Sequence, residues 1–436
     1  MKLPEILRIE SAHRAGSLAR VLQVIGDAGL IIQDLEAVQR HQDKTVWEIT
    51  LEMDDDEDQH IYQRIDALPN AQVLGKSDRI FRRHQGGKIQ MASRLSISSL
   101  RTLRDIYTPG VAQVCLTIKQ EPEKARQFTA LSKTVAIVTN GTAILGLGDI
   151  GPVAGLPVME GKAALFAELA GLSGIPILLE EKDPVRLVEV VSAISSSFGA
   201  IQLEDIAAPA CFEIESKLRQ RLPIPVLHDD QHGTAVVVLA AMINAARRTE
   251  RALQDMVVGQ IGLGAAGLGL VSLLRQYGVK KLVGTDLRPE ALARFESMGG
   301  EPENLRTVMA EADMVVGLSG AGELIDPQWV RPGQVILALS NPVPEIYPRL
   351  ALDRGAAFAF DGRAINNVLS FPGLFRGVLD AGARSFHSGM FMAAAQCLAD
   401  IAPESELVPD PLDRAVHKAV SEAVYQAAIE DPPVFA

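Results

Sequence analysis

Residues 257–286, VVGQIGLGAAGLGLVSLLRQYGVKKLVGTD, constrain this chain more than any other stretch. The β-branched run of Val257, Val258 and Ile261 reads as a buried strand. It runs into Gly262, Gly264 and Gly267, with Ala265 and Ala266 before the last, and then into an apolar helix through Tyr277. Each glycine has its own task. The first allows a sharp turn, the second lets a pyrophosphate approach the backbone, and the third lets helix and strand pack closely. The unbonded N–H groups at the positive helix start would hold the phosphates. Asp286 ends the next apolar run, where a carboxylate can accept from both ribose hydroxyls of NAD. Strand, glycine turn, helix and acid in that order predict a Rossmann-type dinucleotide-binding unit.

The 436 residues are enough for about three domains with sizeable cores. A net charge of −12 argues against nucleic acid or an anionic membrane as partner. Cys115, Cys211 and Cys397 are scattered among apolar or small residues and read as reduced thiols of a cytoplasmic protein. The start of the chain has no signal-peptide pattern, and the longest apolar run, 235–243, is too short to span a bilayer.

Residues 1–80 read as a small α+β module. A strand at 6–9 is followed by Gly16 and a helix with Leu18, Val21, Leu22 and Ile25 on one face. Strands at 31–38 and 46–53, a helix near 56–68 and a strand at 71–74 complete a βαββαβ order, the ferredoxin-like split unit. The acids at 54–58 read as a solvated helix start favoured by the dipole. The phrasing GSLARVLQVIGDAGLIIQDLEA resembles an ACT domain. That resemblance implies a small effector, often an amino acid, at the turn before the first helix or at a subunit interface; dimerisation alone is the other reading. Residues 81–98, with paired glycines and weak periodicity, read as a linker.

Beyond the linker, Tyr107 precedes a Pro-Gly turn, where a tyrosine is usually a packing residue. Asn140-Gly141, between apolar runs at 135–138 and 142–147, is the strongest short hairpin signal and predicts one here. GLGDIG at 146–151 looks like a second dinucleotide fingerprint but lacks the strand-to-helix context. Lys162 reads as lying near the start of an apolar helix, an odd place for a cation. A surface lysine is the default reading, and a lysine with a lowered pKa is the functional one. Two apolar strands then end in acids, Glu204-Asp205 and Asp229-Asp230. Ligands gather at the carboxyl ends of parallel strands, and carboxylates without Cys or paired His suit Mg²⁺ or Mn²⁺. Helix capping by Asp229 and Asp230 is the plainer alternative.

YTPGVA, NGTAILGLGDIGP, PVMEGKA, QLEDIAAP, VLHDDQHGTA, GLGAAG, LALSNP and INNVLSFPG occur here in the order found in malic enzymes. Over about residues 99–436 the chain resembles the short bacterial form of that family, with an ACT-like module in front. The resemblance implies an α/β fold: a substrate domain at 99–232 with a helical C-terminal part at 366–436, and a Rossmann-type NAD domain at 233–365. It implies oxidative decarboxylation of malate to pyruvate and CO₂ with reduction of NAD or NADP. Lys162 matches the base for the C2 hydroxyl, and Tyr107 the acid that protonates C3. Glu204, Asp205 and Asp230 match the metal ligands, and Asp229 a residue supporting them or Lys162. Asn341 and Asn367 match substrate and cofactor contacts, and Gly320 matches backbone passing under the cofactor.

Two positions depart from the pattern. Longer members carry arginine at the position of Ala143, and bacterial relatives commonly carry aspartate at Asn140. Asp286 favours NAD, while Arg288 partly offsets its repulsion of a 2′-phosphate. A homodimer or higher oligomer is expected. A malolactic-type or non-redox decarboxylase on the same site, an amino-acid dehydrogenase and a non-catalytic sensor of NAD and effector are the competing readings.

Overall fold

The computed structural model describes residues 3–53, 55–341, 343–362 and 365–430. Asp54 and the side chains of 55–58, the acidic run expected to start a helix, lie outside what is described. The chain divides into two compact units, Met1–Gly87 and Lys88–Ala436.

In the first unit the strands are β1 (Leu3–Ala12), β2 (Ile32–Arg40), β3 (Lys44–Met53) and β4 (Ala71–Lys76). They form an antiparallel sheet in the order β2-β3-β1-β4, with helices Ser17–Asp27 and Asp55–Asp66 at the two crossovers. Alternation puts Leu7, Ile9, Ile49 and Leu51 on one face, where they meet Val21, Ile25, Ile61 and Ile65. Gly16 opens the first helix at φ +81°, a left-handed conformation glycine adopts without strain. Helix Arg79–His84 belongs to this unit, so part of the stretch expected as linker is helical.

The second unit holds two parallel sheets. The first joins β5 (Thr134–Thr139), β6 (Ser173–Leu178), β7 (Ala200–Leu203) and β8 (Val226–His228) in the order β6-β5-β7-β8. The second joins β9 (Val257–Ile261), β10 (Lys281–Thr285), β11 (Glu301–Pro302), β12 (Met314–Gly317), β13 (Val335–Ala338) and β14 (Phe358–Asp361). Its order is β11-β10-β9-β12-β13-β14, which reverses direction at β9. Strands β5, β7, β12 and β13 are buried at every position, the pattern of parallel strands covered on both faces.

Three expectations are corrected here. There is no hairpin at Asn140-Gly141, because both edges of β5 are taken by the parallel strands β6 and β7. Gly141 instead folds the chain back on the next helix: an added Cβ would lie 2.1 Å from the Gly151 carbonyl carbon. Second, the helix carrying Lys162 starts at Pro152 and continues past Pro157, so Lys162 lies in its last turn. The argument from the positive helix end does not apply. Third, the expected boundary between residues 232 and 233 falls inside one continuous helix, Asp229–Arg248.

That helix is buried over nearly its whole length and packs against helices from both halves of the unit. Asn244 in its last turns donates to the carbonyls of Ala399 and Leu407, at 2.9 and 3.0 Å. Helices Phe371–Asp380, Ser388–Ile401 and Arg414–Glu430 form the C-terminal part. They return to the first sheet through edge-on stacking of Phe166 with Phe371 and Phe375, at 4.9 and 5.4 Å. Among the described residues no helix is long and apolar enough to cross a membrane.

Candidate functional site

Strands β7 and β8 pair in register, Leu203 opposite His228, so the residues just beyond them emerge side by side. Glu204 and Asp205 follow β7, and Asp229 and Asp230 follow β8. Asp205 sits at φ +53°, a conformation that aspartate tolerates better than most residues. Its N–H donates to Asp230 Oδ2 at 2.9 Å, and its carbonyl accepts from Ala143 N at 3.0 Å. Glu204, Asp205 and Asp230 each present an oxygen within 4.8 Å of the others.

Such crowding is costly in isolation. Burial, then Asp230 and Glu204, push Asp205 up to about 8. Burial also raises Glu204 to about 7, although Lys162 opposes it. Asp205 Oδ2 and Asp229 Oδ1 are buried without a hydrogen-bond partner among the described residues. Three converging acids, one with an orphaned oxygen at Asp205 Oδ2, fit a hard divalent cation, and His228 Nε2 lies at their edge, 3.5 Å from Asp230 Oδ2. The residues present therefore suit Mg²⁺ or Mn²⁺.

Lys162 reaches this cluster from its helix end. Its ammonium donates to Asp229 Oδ2 at 2.5 Å, lies 3.0 Å from Glu204 Oε1 and sits 4.4 Å above the Phe371 ring. Burial pulls its pKa down, but Asp229 and Glu204 together more than reverse this, so the net direction is up. The lowered pKa expected for this lysine is thus not found with the carboxylates uncompensated. Asn367 joins the same group, donating to Asp229 Oδ2 at 2.8 Å. Gly233 makes room for Asp229, since a Cβ there would lie 1.9 Å from its Oδ1.

Tyr107 does not join them within this chain. It ends helix Leu100–Ile106, is 69% exposed, and its hydroxyl bonds to nothing among the described residues. Leu100 and Leu103 on the same helix and Leu116 on the next, Val111–Gln120, are exposed as well.

At the second sheet, Gly262 lies at φ +88°, and an added Cβ would sit 2.5 Å from the Leu318 carbonyl oxygen. A Cβ on Gly267 would lie 2.1 Å from the Gly262 oxygen, which explains the close helix–strand packing. Gly264 faces open space, its nearest neighbour being Arg288 Nη2 at 3.8 Å from a built Cβ. Ala265 and Ala266 begin helix Ala265–Tyr277. Asp286 stands beside this turn but already has partners. Oδ2 accepts from Leu263 N and Arg288 Nη2 at 2.7 and 3.2 Å, Oδ1 from Arg288 N and Nε at 2.9 and 3.1 Å. Burial raises its pKa, yet these donors outweigh it and hold the carboxyl below its usual range.

Gly320 follows β12 at φ +71° with nothing within 4 Å of a built Cβ, and Asn341 follows β13, exposed. One buried residue escaped the sequence reading: Glu345, beneath both of these loops. A lone acid between prolines and an isoleucine gives no signal of its own. The hints were small or hydroxylated residues at both strand ends, Gly317, Ser319 and Ser340.

The family model described as "Malic enzyme, N-terminal domain" matches residues 87–185, and "Malic enzyme, NAD binding domain" matches 359–429. NAD-dependent malic enzyme 1 of Bacillus subtilis (strain 168) is 50% identical over 426 residues, covering 97% of each chain. The NAD-dependent malic enzyme of Geobacillus stearothermophilus is 39% identical, over 97% of this chain and 94% of that one. Among solved structures, the malic enzyme of Pyrococcus horikoshii Ot3 aligns at TM-score 0.75 and 38% identity, covering 79% of this chain and 87% of that one. The NAD-dependent malic enzyme of Thermotoga maritima aligns at TM-score 0.75 and 37% identity, over 80% and 99%. With its carboxylates, lysine and glycine turn in these places and relatives this similar over nearly its whole length, the chain belongs to the malic enzyme family.

Proposed function

We propose that this chain converts L-malate to pyruvate and CO₂ with NAD as hydride acceptor. The observation that carries the reading is Lys162 held between Asp229 and Glu204, at the edge of the three-carboxylate cluster. The names of the relatives support it. Glu204, Asp205 and Asp230 would hold a divalent cation, which supplies Lewis-acid polarisation of the C2 oxygen and C1 carboxylate when bound. Lys162 Nζ takes the C2 hydroxyl proton as hydride leaves C2 for the nicotinamide. The C3–C4 bond then breaks with loss of CO₂, and a proton delivered to C3 completes pyruvate. Lys162 must give up its own proton first. Neutralising the acids beside it removes what holds that proton, so metal binding and base activation are linked. Asp229 and Asn367 orient the ammonium.

Tyr107, the match for the C3 proton donor, would be supplied by a second copy of the chain, since it is exposed outside its own cluster on a helix that also exposes Leu100 and Leu103. Mixing inactive Tyr107→Phe and Lys162→Ala proteins tests this. In a mixed dimer one site then regains both groups, and activity returns; if each site uses its own tyrosine, the mixture stays inactive.

NAD is the preferred cofactor because Asp286 stands where the ribose hydroxyls would bind. Arg288 neutralises that charge and lets NADP in as a poorer acceptor. The first unit acts as an ACT-type module, and a cleft of about 330 Å³ lined by Glu10, Arg14, Lys44 and Asn70 suits a small zwitterionic effector. We place the protein in the cytoplasm. The deciding assay follows NADH absorbance with L-malate, NAD or NADP, and Mg²⁺ or Mn²⁺, with and without chelator. Metal-dependent reduction with pyruvate as product supports the reading. Lactate without net reduction would favour the malolactic alternative, in keeping with the bifunctional malic/malolactic relative of Bacillus subtilis at 40% identity.

A further inference from the structure

Glu345 is fully buried, and no cation pairs with it among the described residues. Its carboxylate takes four hydrogen bonds from two loops. Oε1 accepts from Ser319 N at 3.0 Å, Ser319 Oγ at 2.8 Å and Ser340 Oγ at 2.6 Å. Oε2 accepts from Ser340 N at 3.2 Å. The serine hydroxyls pass the connection on: Ser340 Oγ accepts from Gly320 N at 2.8 Å, and Ser319 Oγ from Ala321 N at 3.1 Å. Backbone bonds add to it, Glu323 N to Pro344 O and Ile325 N to Glu345 O, both at 2.9 Å. Room for the carboxylate exists only because residue 317 is glycine, where a Cβ would lie 2.4 Å from the carboxyl carbon.

The two loops follow β12 and β13, neighbours paired Gly317 to Ala338. A hydroxyl can rotate to donate or accept, but a backbone N–H can only donate. Here the two N–H groups come from different loops and go to different oxygens, so both oxygens must accept. A carboxylate satisfies this and a carboxamide cannot. Burying an acid with only neutral partners is costly, and a simple loop tie would not require it.

We propose that Glu345 is a positioning residue for the nicotinamide cofactor. It fixes the distance between the Gly320 loop and the Asn341 loop, so that both meet the cofactor without reorganising. This rests on the reading that those loops contact the cofactor, and the test separates the two ideas.

Two full-length variants are compared with wild type by NADH fluorescence titration, Mn²⁺ titration calorimetry and thermal unfolding. Glu345→Gln, which leaves one N–H facing an amide NH₂, should weaken NADH binding about tenfold. Its Mn²⁺ affinity, read at the other sheet, should be that of wild type. Gly320→Ala puts a methyl where the cofactor is expected and strains the loop at φ +71°, so it should also weaken NADH. Normal NADH affinity in folded, Mn²⁺-binding Glu345→Gln, while Gly320→Ala is weakened, overturns the role of Glu345. A lowered melting temperature with unchanged NADH affinity does the same, because a merely structural residue behaves that way. Normal NADH affinity in Gly320→Ala removes the premise, and the inference with it. If Glu345→Gln does not fold, Ser340→Ala takes its place. It deletes one bond to Glu345 and the acceptor for Gly320 N–H, and undiminished NADH binding there also overturns the proposal.

Discussion

At the ends of β7 and β8 four acids share one lysine; at the ends of β12 and β13 one acid is shared by two serines and two backbone N–H groups. Both groups are buried carboxylates at the carboxyl ends of parallel strands, yet they are built to opposite plans. Around Lys162 the negative charge exceeds the positive, and two oxygens lack any hydrogen-bond partner among the described residues. Around Glu345 both oxygens accept hydrogen bonds, and among the described residues nothing charged enters. The first arrangement leaves like charges crowded and oxygens unmatched, the situation that a divalent cation would relieve under the proposed function. The second is complete as it stands and can hold a shape.

The largest test of this contrast is Lys162→Ala. Malate oxidation should fall by about 10²–10⁴-fold, the usual worth of a positioned base, with NADH affinity retained. Unchanged turnover would remove Lys162 from the chemistry. Asp205→Asn probes the unfinished character directly. Metal-free, the variant should melt at a higher temperature than wild type at neutral pH, because it removes the cost of burying an acid whose pKa is raised above that of the unfolded chain. Mn²⁺ at about a hundred times its dissociation constant should stabilise wild type by about 2.7 kcal/mol and the variant far less. A metal-free variant that melts lower would mean the acids are satisfied without a cation.

The smallest effect concerns His417, whose buried Nδ1 also lacks a partner among the described residues. Burial lowers its pKa from 6.5, with the Pro411 carbonyl and Asp413 opposing. Below 6.5 the unfolded chain therefore binds more protons, and stability from this group is lost as pH falls. Asp205, raised to about 8, has the opposite sign: its cost at neutral pH shrinks on acidification. His417→Leu should flatten the acid side of a melting-temperature profile. If it does not, that acid sensitivity originates elsewhere.

Much of this was legible in the sequence where the constraint is local. The glycine turn before helix Ala265–Tyr277 and the acids after β7 and β8 are written in consecutive residues. What depended on distant partners was not. Asn140-Gly141 signals a hairpin on any local scale, but β6 and β7 compete for the same strand edges and win. Pro157 suggested that a helix begins there, whereas the helix already running from Pro152 absorbs it and carries Lys162 to its far end. Arg288 closing on Asp286 could be anticipated from two residues' separation, its engagement of both oxygens could not. Glu345 was invisible because its partners lie 26 and 5 residues away on two different loops.

Helix Asp229–Arg248 begins with two of the acids of the cluster and is about 30 Å long. Because there is no hinge at residue 233, the two halves of the second unit are not beads that recombination could swap. A graft joined there would inherit a girder anchored at one end to the donor's carbonyls of Ala399 and Leu407, and at the other to its own acids. Such a chimaera would have to bring the C-terminal helices with it, so an exchange that keeps these contacts would take the compact unit Lys88–Ala436 as a whole.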